Sequence, residues 1–326
     1  MRRAVLWALA ALALVVALLL AFGPREPVET GLHPDYAAIA ADPEGWLAAR
    51  EAAHDDIRPG DGSAILWAGE RRARAPVAVL YLHGFSASPA ELRPVPELVA
   101  EALGANLVHY RLSGHGRGGA ALAEPRAGDW IADMRAALAV ARAVGERVLV
   151  IGTSTGGTLA ALAALEPGLS DAIAGIVFVS PNFGVQDKAA RLALLPFARL
   201  WAPLLTGRER SWEPANAEQA AHWTTRYPTV AAIPLMALVD HALRQDYSRA
   251  RVPALFVYSE RDQVIRPDRV KEVAGRWGGP VRLVELSPPG GAGGSYHVIA
   301  GDILAPETTP LLVRTILEWW RSVVAP

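Results

Sequence analysis

The stretch VLVIGTSTGGTLAALAAL, residues 148 to 165, joins an unbroken apolar run, a serine framed by two glycines and an alanine-rich segment within eighteen residues. A continuous apolar run reads as a strand covered on both faces, the environment of a central parallel strand. The small-residue segment after it reads as a helix, so the whole is a strand, a sharp turn and the start of a crossover. A chain containing it is thereby steered toward a parallel sheet sandwiched between helices. Ser154 then has two readings: a hydroxyl projecting from a strained turn, or one member of a small-residue bend. The flanking strand and helix supply the context that the first reading requires.

The same alternation runs along much of the chain. SAILWAG and APVAVLYLHG read as strands, SPAELRPVPELVAEALG as a helix starting near Ser88 to Ala90, and ANLVHY as a strand. WIADMRAALAVARAV follows as a helix, and IAGIVFVS is the strand after the Ser154 helix. The pattern breaks between Pro181 and Arg251, where short helical pieces carry Phe197, Trp201, Trp212, Trp223 and Tyr227. It resumes with the strand PALFVYS, the helix PDRVKEVAGRW, the strand VRLVEL and the terminal helix PLLVRTILEWWRSVV. These shifts divide the chain into an apolar segment over 1–23, an extension over 24–62 and an α/β core over 63–180 and 251–326. Residues 181–250 form a helical insertion over the sheet, whose aromatics either fill a small core of their own or also wall a binding site.

A serine hydroxyl is protonated near neutral pH, so acyl transfer from it needs a base and a carboxylate that orients the base. Of the eight histidines, His297 in PGGAGGSYHVIAGD lies after the last strand and before the terminal helix, at the edge of the sheet where Ser154 emerges. Asp262 in FVYSERDQVI follows the preceding strand and is the carboxylate expected to hold that imidazole, with Glu260 the alternative two residues away. The developing oxyanion needs preorganised donors, and the backbone N–H groups of Phe85, in YLHGFSASP, and of Thr155 are the candidates. His83, Gly84, Gly152 and Gly156 are read as organisers of the loops that carry these groups.

The other patterns are less productive. His83, His109 and His115 do not form a zinc signature, and neither GTSTGG nor GHGRGG matches a nucleotide-binding loop, so no metal or cofactor is expected. Lys and Arg total 32 against 33 Asp and Glu, which offers no net field for nucleic acid. With no cysteine, disulfides and thiolate catalysis are excluded.

Arg2 and Arg3 precede nineteen apolar residues, Ala4 to Phe22. As a helix these would span roughly 28 Å, close to the ~30 Å hydrocarbon core of a bilayer. The run is long for a cleaved signal and leads into GPREP without a small-residue cleavage site. The expectation is an uncleaved signal anchor in the cell membrane with the body on the noncytoplasmic side. Cleavage and release to the periplasm or medium, or an internally packed helix, are the alternatives.

Together these segments resemble the α/β-hydrolase superfamily, especially its monoacylglycerol-lipase-like and serine-aminopeptidase-like members. HGF at 83–85, GHG at 114–116, GTSTG around Ser154, Asp262 and His297 stand in the order that family shows, across roughly residues 65–324. The resemblance implies a mostly parallel central sheet flanked by helices, with a cap inserted over 181–250. It also implies hydrolysis through an acyl-enzyme, with a small-molecule or lipid ester as substrate. Amide or peptide hydrolysis and a noncatalytic, membrane-anchored binding role are the competing functions. Thr153 and Thr155 depart from the more familiar aromatic and bulky residues beside the nucleophile, which leaves the implied mechanism intact but weakens any named lipase or peptidase subgroup.

Overall fold

The structure, a computed structural model, describes residues 2–290 and 293–324. Its strands are β1 (Ala64–Leu66), β2 (Ala75–Leu82), β3 (Asn106–Tyr110), β4 (Gly145–Thr153), β5 (Ile173–Val179), β6 (Glu209–Ser211), β7 (Arg226–Pro228), β8 (Ala254–Tyr258) and β9 (Val281–Glu285). Seven of them form one sheet in the order β1-β3-β2-β4-β5-β8-β9. All its pairings are parallel except that of β1 with β3 at one edge.

This order positions the site. From β2 the chain crosses outward to β3, then returns to lay β4 on the other side of β2 and continues to β5. The connections leaving β2 and β4 therefore diverge, and a crevice opens at their carboxyl ends, where Leu82 pairs with Gly152.

The helices are α1 (Arg2–Phe22), α2 (Tyr36–Ala41), α3 (Pro43–Ala52), α4 (Val95–Leu103), α5 (Ala127–Val144), α6 (Thr155–Ala163), α7 (Ala198–Thr206), α8 (Ala217–His222), α9 (Ala232–Leu243), α10 (Pro267–Arg276) and α11 (Thr309–Trp319). The two faces of β2 show how they divide. Ala78, Leu80 and Leu82 pack into a core shared with α5, α6, α9 and α10, whereas Val79 and Tyr81 pack into one shared with α4 and α11. Both faces being covered explains why the strands read as continuous apolar runs rather than alternating ones.

One expected helix divides. The segment beginning at Ser88 forms a 3-10 turn over Pro89–Leu92, and α4 starts only at Val95. Pro94 and Pro96 lack the N–H groups a continuous helix would need there, while Pro96 is tolerated in the first turn of α4.

Within the insertion, a 3-10 turn over Lys188–Leu194, α7, the β6–β7 hairpin and α8 precede α9. The apolar residues of α9 join the core with α5 and α6, so this last helix belongs to a layer covering the sheet. The earlier pieces pack in small shared clusters, Trp223 with Ala87 and Val298 of the core, and Ala198 and Ala202 with Ile233 of α9.

No residue of α1 is buried, and its 21 residues, with an eighteen-residue stretch of mean hydropathy 2.9, make it long and apolar enough to cross a membrane. Its end meets the insertion. The Phe197 N–H donates to the Pro24 carbonyl at 2.9 Å. Glu26 then pairs with Arg199 at 2.7 Å and with Arg126 at 2.8 Å.

Candidate active site

Ser154 sits between β4 and α6 with φ 50° and ψ −113°, a left-handed conformation that a non-glycine residue adopts only under constraint. The constraint is visible in its hydrogen bonds. Its N–H donates to the Val179 carbonyl at 3.0 Å, and its own carbonyl accepts from the Asn182 N–H at 3.0 Å. The glycines permit the turn by close approach. A Cβ on Gly156 would lie 2.0 Å from the Leu82 carbonyl oxygen, and one on Gly152 would lie 2.6 Å from that of Gly156.

His297 and Asp262 come together from different loops. The Asp262 carboxylate is fully buried; its Oδ1 accepts the N–H groups of Val264 and Ile265 at 2.8 and 2.9 Å. Its Oδ2 accepts from His297 Nδ1 at 2.8 Å, which leaves Nε2 as the free ring nitrogen. Gln263 N–H donates to the Ser295 carbonyl at 2.9 Å, and Arg261 lies 3.8 Å over the Tyr296 ring, so the two loops are fastened on either side of the pair. Glu260 points elsewhere, bonded to Lys271 and the Tyr258 hydroxyl. Burial disfavours the His297 imidazolium, but the charge and hydrogen bond of Asp262, with the charge of Glu91, outweigh it and raise the pKa above the usual 6.5.

Thr155 is the first residue of α6, so its N–H has no acceptor within that helix and lies at the positive end of the helix dipole. Phe85 is in the loop after β2, its ring edge-on to Tyr227 of the insertion, to Trp130 and to His115. His83 is buried beneath this loop: Nδ1 donates to the Gly84 carbonyl at 2.8 Å and Nε2 accepts the Leu112 N–H at 3.0 Å. Both bonds suit the neutral ring, and burial with His115 nearby holds its pKa well below the ordinary value. The loops after β2 and β3 are thereby tied together.

Sequence reasoning missed Glu91. Read as the first turn of a helix it would face solvent, but the proline-enforced 3-10 turn directs it inward, where only 2 % of it is exposed. Its Oε2 accepts the Gly84 N–H at 2.7 Å and the Tyr81 hydroxyl at 3.1 Å. Burial pushes this carboxyl up to about 7, against the opposing pull of the Gly84 N–H, His297 and Tyr81. The prolines around SPAELRPVPE were the available signal.

Ser154, His297, Phe85 and Glu91 line one cavity of about 940 Å³, and Trp201 and Trp212 of the insertion line it from the other side. A hydroxyl on a strained turn and an imidazole held through its distal nitrogen by a buried carboxylate thus face a common space, with the first residue of α6 next in the chain to that hydroxyl. That arrangement suits nucleophilic attack on a carbonyl.

Comparison with known proteins places the chain's fold and family. The family described as "Alpha/beta hydrolase family" matches residues 79–301. The thermostable monoacylglycerol lipase of Bacillus sp. (strain H-257) is 28% identical over 249 residues, covering 76% of this chain and 91% of that protein. Among solved structures, one from the metagenome-derived lipolytic enzymes LipS and LipT superposes with a TM-score of 0.65 at 24% identity, covering 81% of this chain and 99% of that one. The monoacylglycerol lipase of Paleococcus ferrophilus superposes with a TM-score of 0.55 at 16% identity, covering 79% and 96%. At these identities the two structures speak for the fold.

Proposed function

This chain belongs to the alpha/beta hydrolase family, and from that premise we propose that it is a serine carboxylesterase acting on lipid monoesters or other short and medium acyl esters. The observation that carries the proposal is the Asp262–His297 pair at 2.8 Å in the cavity that Ser154 also lines. In this reading Ser154 Oγ attacks the ester carbonyl carbon while His297 Nε2 takes its proton. Asp262 stabilises the imidazolium, and the N–H groups of Phe85 and Thr155 hold the oxyanion. Collapse of the tetrahedral intermediate breaks the ester C–O bond, and His297 returns the proton to the leaving alcohol. Water, deprotonated by His297, then releases the acid from Ser154. His83, Gly84, Gly152 and Gly156 keep the two donor loops in register.

The substrate class rests on two supports. The Bacillus relative is named a monoacylglycerol lipase, and the aromatic-lined cavity lies within the roughly 300–1,000 Å³ range of small-ligand sites. Residues 181–250 act as the cap that selects the acyl group, and α1 retains the enzyme in the membrane with the body outside the cytoplasm.

A fluorophosphonate probe followed by peptide mass spectrometry tests the chemistry. Modification at Ser154, and loss of turnover across an ester and amide panel in Ser154→Ala, are expected. Robust modification elsewhere with Ser154 untouched would overturn the assignment, and a preference for amides would move the enzyme to the amidases.

A further inference from the structure

The helix α7 has two faces with different tasks. Trp201, Ala202 and Thr206 line the cavity, whereas Leu200 and Leu204 lie on the opposite side of the helix with 69% and 78% of their surface exposed. Leu200 and Leu204 stand one helical turn apart, and no other part of the described chain covers them. Two leucines left bare on one side of a helix form a patch that water disfavours.

What stands beside that patch identifies its occupant. Phe197, immediately before α7, donates its N–H to Pro24, two residues after α1 ends, and Arg199 within α7 pairs with Glu26. The apolar helix α1 therefore ends where α7 begins. Of the basic side chains between residues 187 and 210, Arg199 is held by Glu26 and Arg210 lines the cavity, while Lys188, Arg191 and Arg208 are exposed near α7. Basic residues around an apolar helix face suit the anionic headgroups of a bilayer, with the leucines reaching the acyl region.

We propose that the outer face of α7 lies on the surface of the bilayer that α1 spans, so that the wall of the active-site cavity is also the membrane contact. The inference rests on reading α1 as a retained anchor. A lipid ester leaving the acyl region then meets the cavity across the thickness of one helix rather than across open water, which fits the proposed substrate class.

The chain has no cysteine, so single-site labelling is direct. Full-length Leu204→Cys carrying an environment-sensitive fluorophore is reconstituted into phosphatidylcholine–phosphatidylglycerol vesicles. Glu146→Cys, exposed at the amino end of β4 and hence at the far end of the sheet, is the reference. The fluorophore at 204 is expected to be quenched severalfold more by lipid-borne nitroxide than that at 146, and correspondingly less by iodide. Equal iodide access at the two positions would overturn the proposal. So would shielding at 204 from both quenchers, which would mean that α1 folded back or a second copy covers the face. In parallel, Leu200→Glu/Leu204→Glu should reduce turnover of a vesicle-embedded ester about tenfold and leave a water-soluble ester unaffected. Equal loss on both substrates would count against a surface role. If neither ester is turned over even by the parent protein, the esterase reading fails while the quenching result still decides the membrane contact.

Discussion

Glu91 places a second ionisable acid within the electrostatic reach of His297, and this governs how the site responds to pH. The native carboxyl titrates at about 7, whereas the unfolded one titrates near 4.5. Between those values the folded chain holds a proton that the unfolded chain has lost, so this group's contribution to stability falls as pH rises through that window. The full cost above pH 7 is about 3 kcal/mol. Glu91→Gln keeps an acceptor for Gly84 and removes the cost, so its stability relative to the parent should improve between pH 5 and pH 8 in urea titrations. The same variant removes a negative charge that favours the His297 imidazolium. The acid limb of kcat/KM, expected above pH 6.5 in the parent, should therefore move to lower pH. Asp262→Asn should fold normally but lower kcat by about a thousandfold to ten-thousandfold, since a neutral amide cannot stabilise the imidazolium. Single-turnover kinetics checks this, and unchanged turnover beside an inactive Glu260→Gln would transfer the role to Glu260.

At the level of elements, the strand, turn and helix around Ser154 were legible because each carries its own local signal: an apolar run, two glycines and an alanine-rich segment. The turn also leaves no room for a side chain at Gly156. Gly156→Ala would drive a methyl group into the backbone at Leu82 and should destabilise the protein by about 3 kcal/mol or more, as measured by urea unfolding. The inward turn at Glu91 was not legible, because an acid early in a helix pattern ordinarily faces water and only the combined prolines redirect it. Nor was the way the insertion is fastened. Arg58 donates to the carbonyls of Arg117, Trp223 and His222, while the buried Asp61 accepts from Arg58 Nε at 2.8 Å and His222 Nδ1 at 2.6 Å. These partners are more than a hundred residues apart in several pairs, beyond what periodicity can reveal. Arg58→Ala removes the central donor, so amide exchange over Trp212 to Tyr227 should rise about tenfold while exchange in β4 stays unchanged.

For the molecule as a whole, the order of strands followed from hydrophobic alternation only as far as a parallel sheet; the edge placement of β1 and the exchange of β2 and β3 required the three-dimensional pairing. The apolar N-terminus was plain in sequence, but its meeting with Phe197 and Glu26 was not, since contacts between distant segments leave no local pattern. With α1 retained, fractionated cells should hold intact chain in membranes, resistant to salt and released by detergent. Soluble protein beginning after Phe22 would establish cleavage. The sheet order has a further consequence during synthesis. Strands β1 to β5 are mutual neighbours and lie within residues 64–179, whereas β8 and β9 are added at one edge and carry the loops of Asp262 and His297. A nascent chain can therefore assemble the Ser154 turn early, while its proposed orienting acid and base emerge from the ribosome more than a hundred residues later. With the roles proposed for Asp262 and His297, the site stays chemically silent until β8 and β9 have joined the sheet, and hydrolysis reports that the fold is complete.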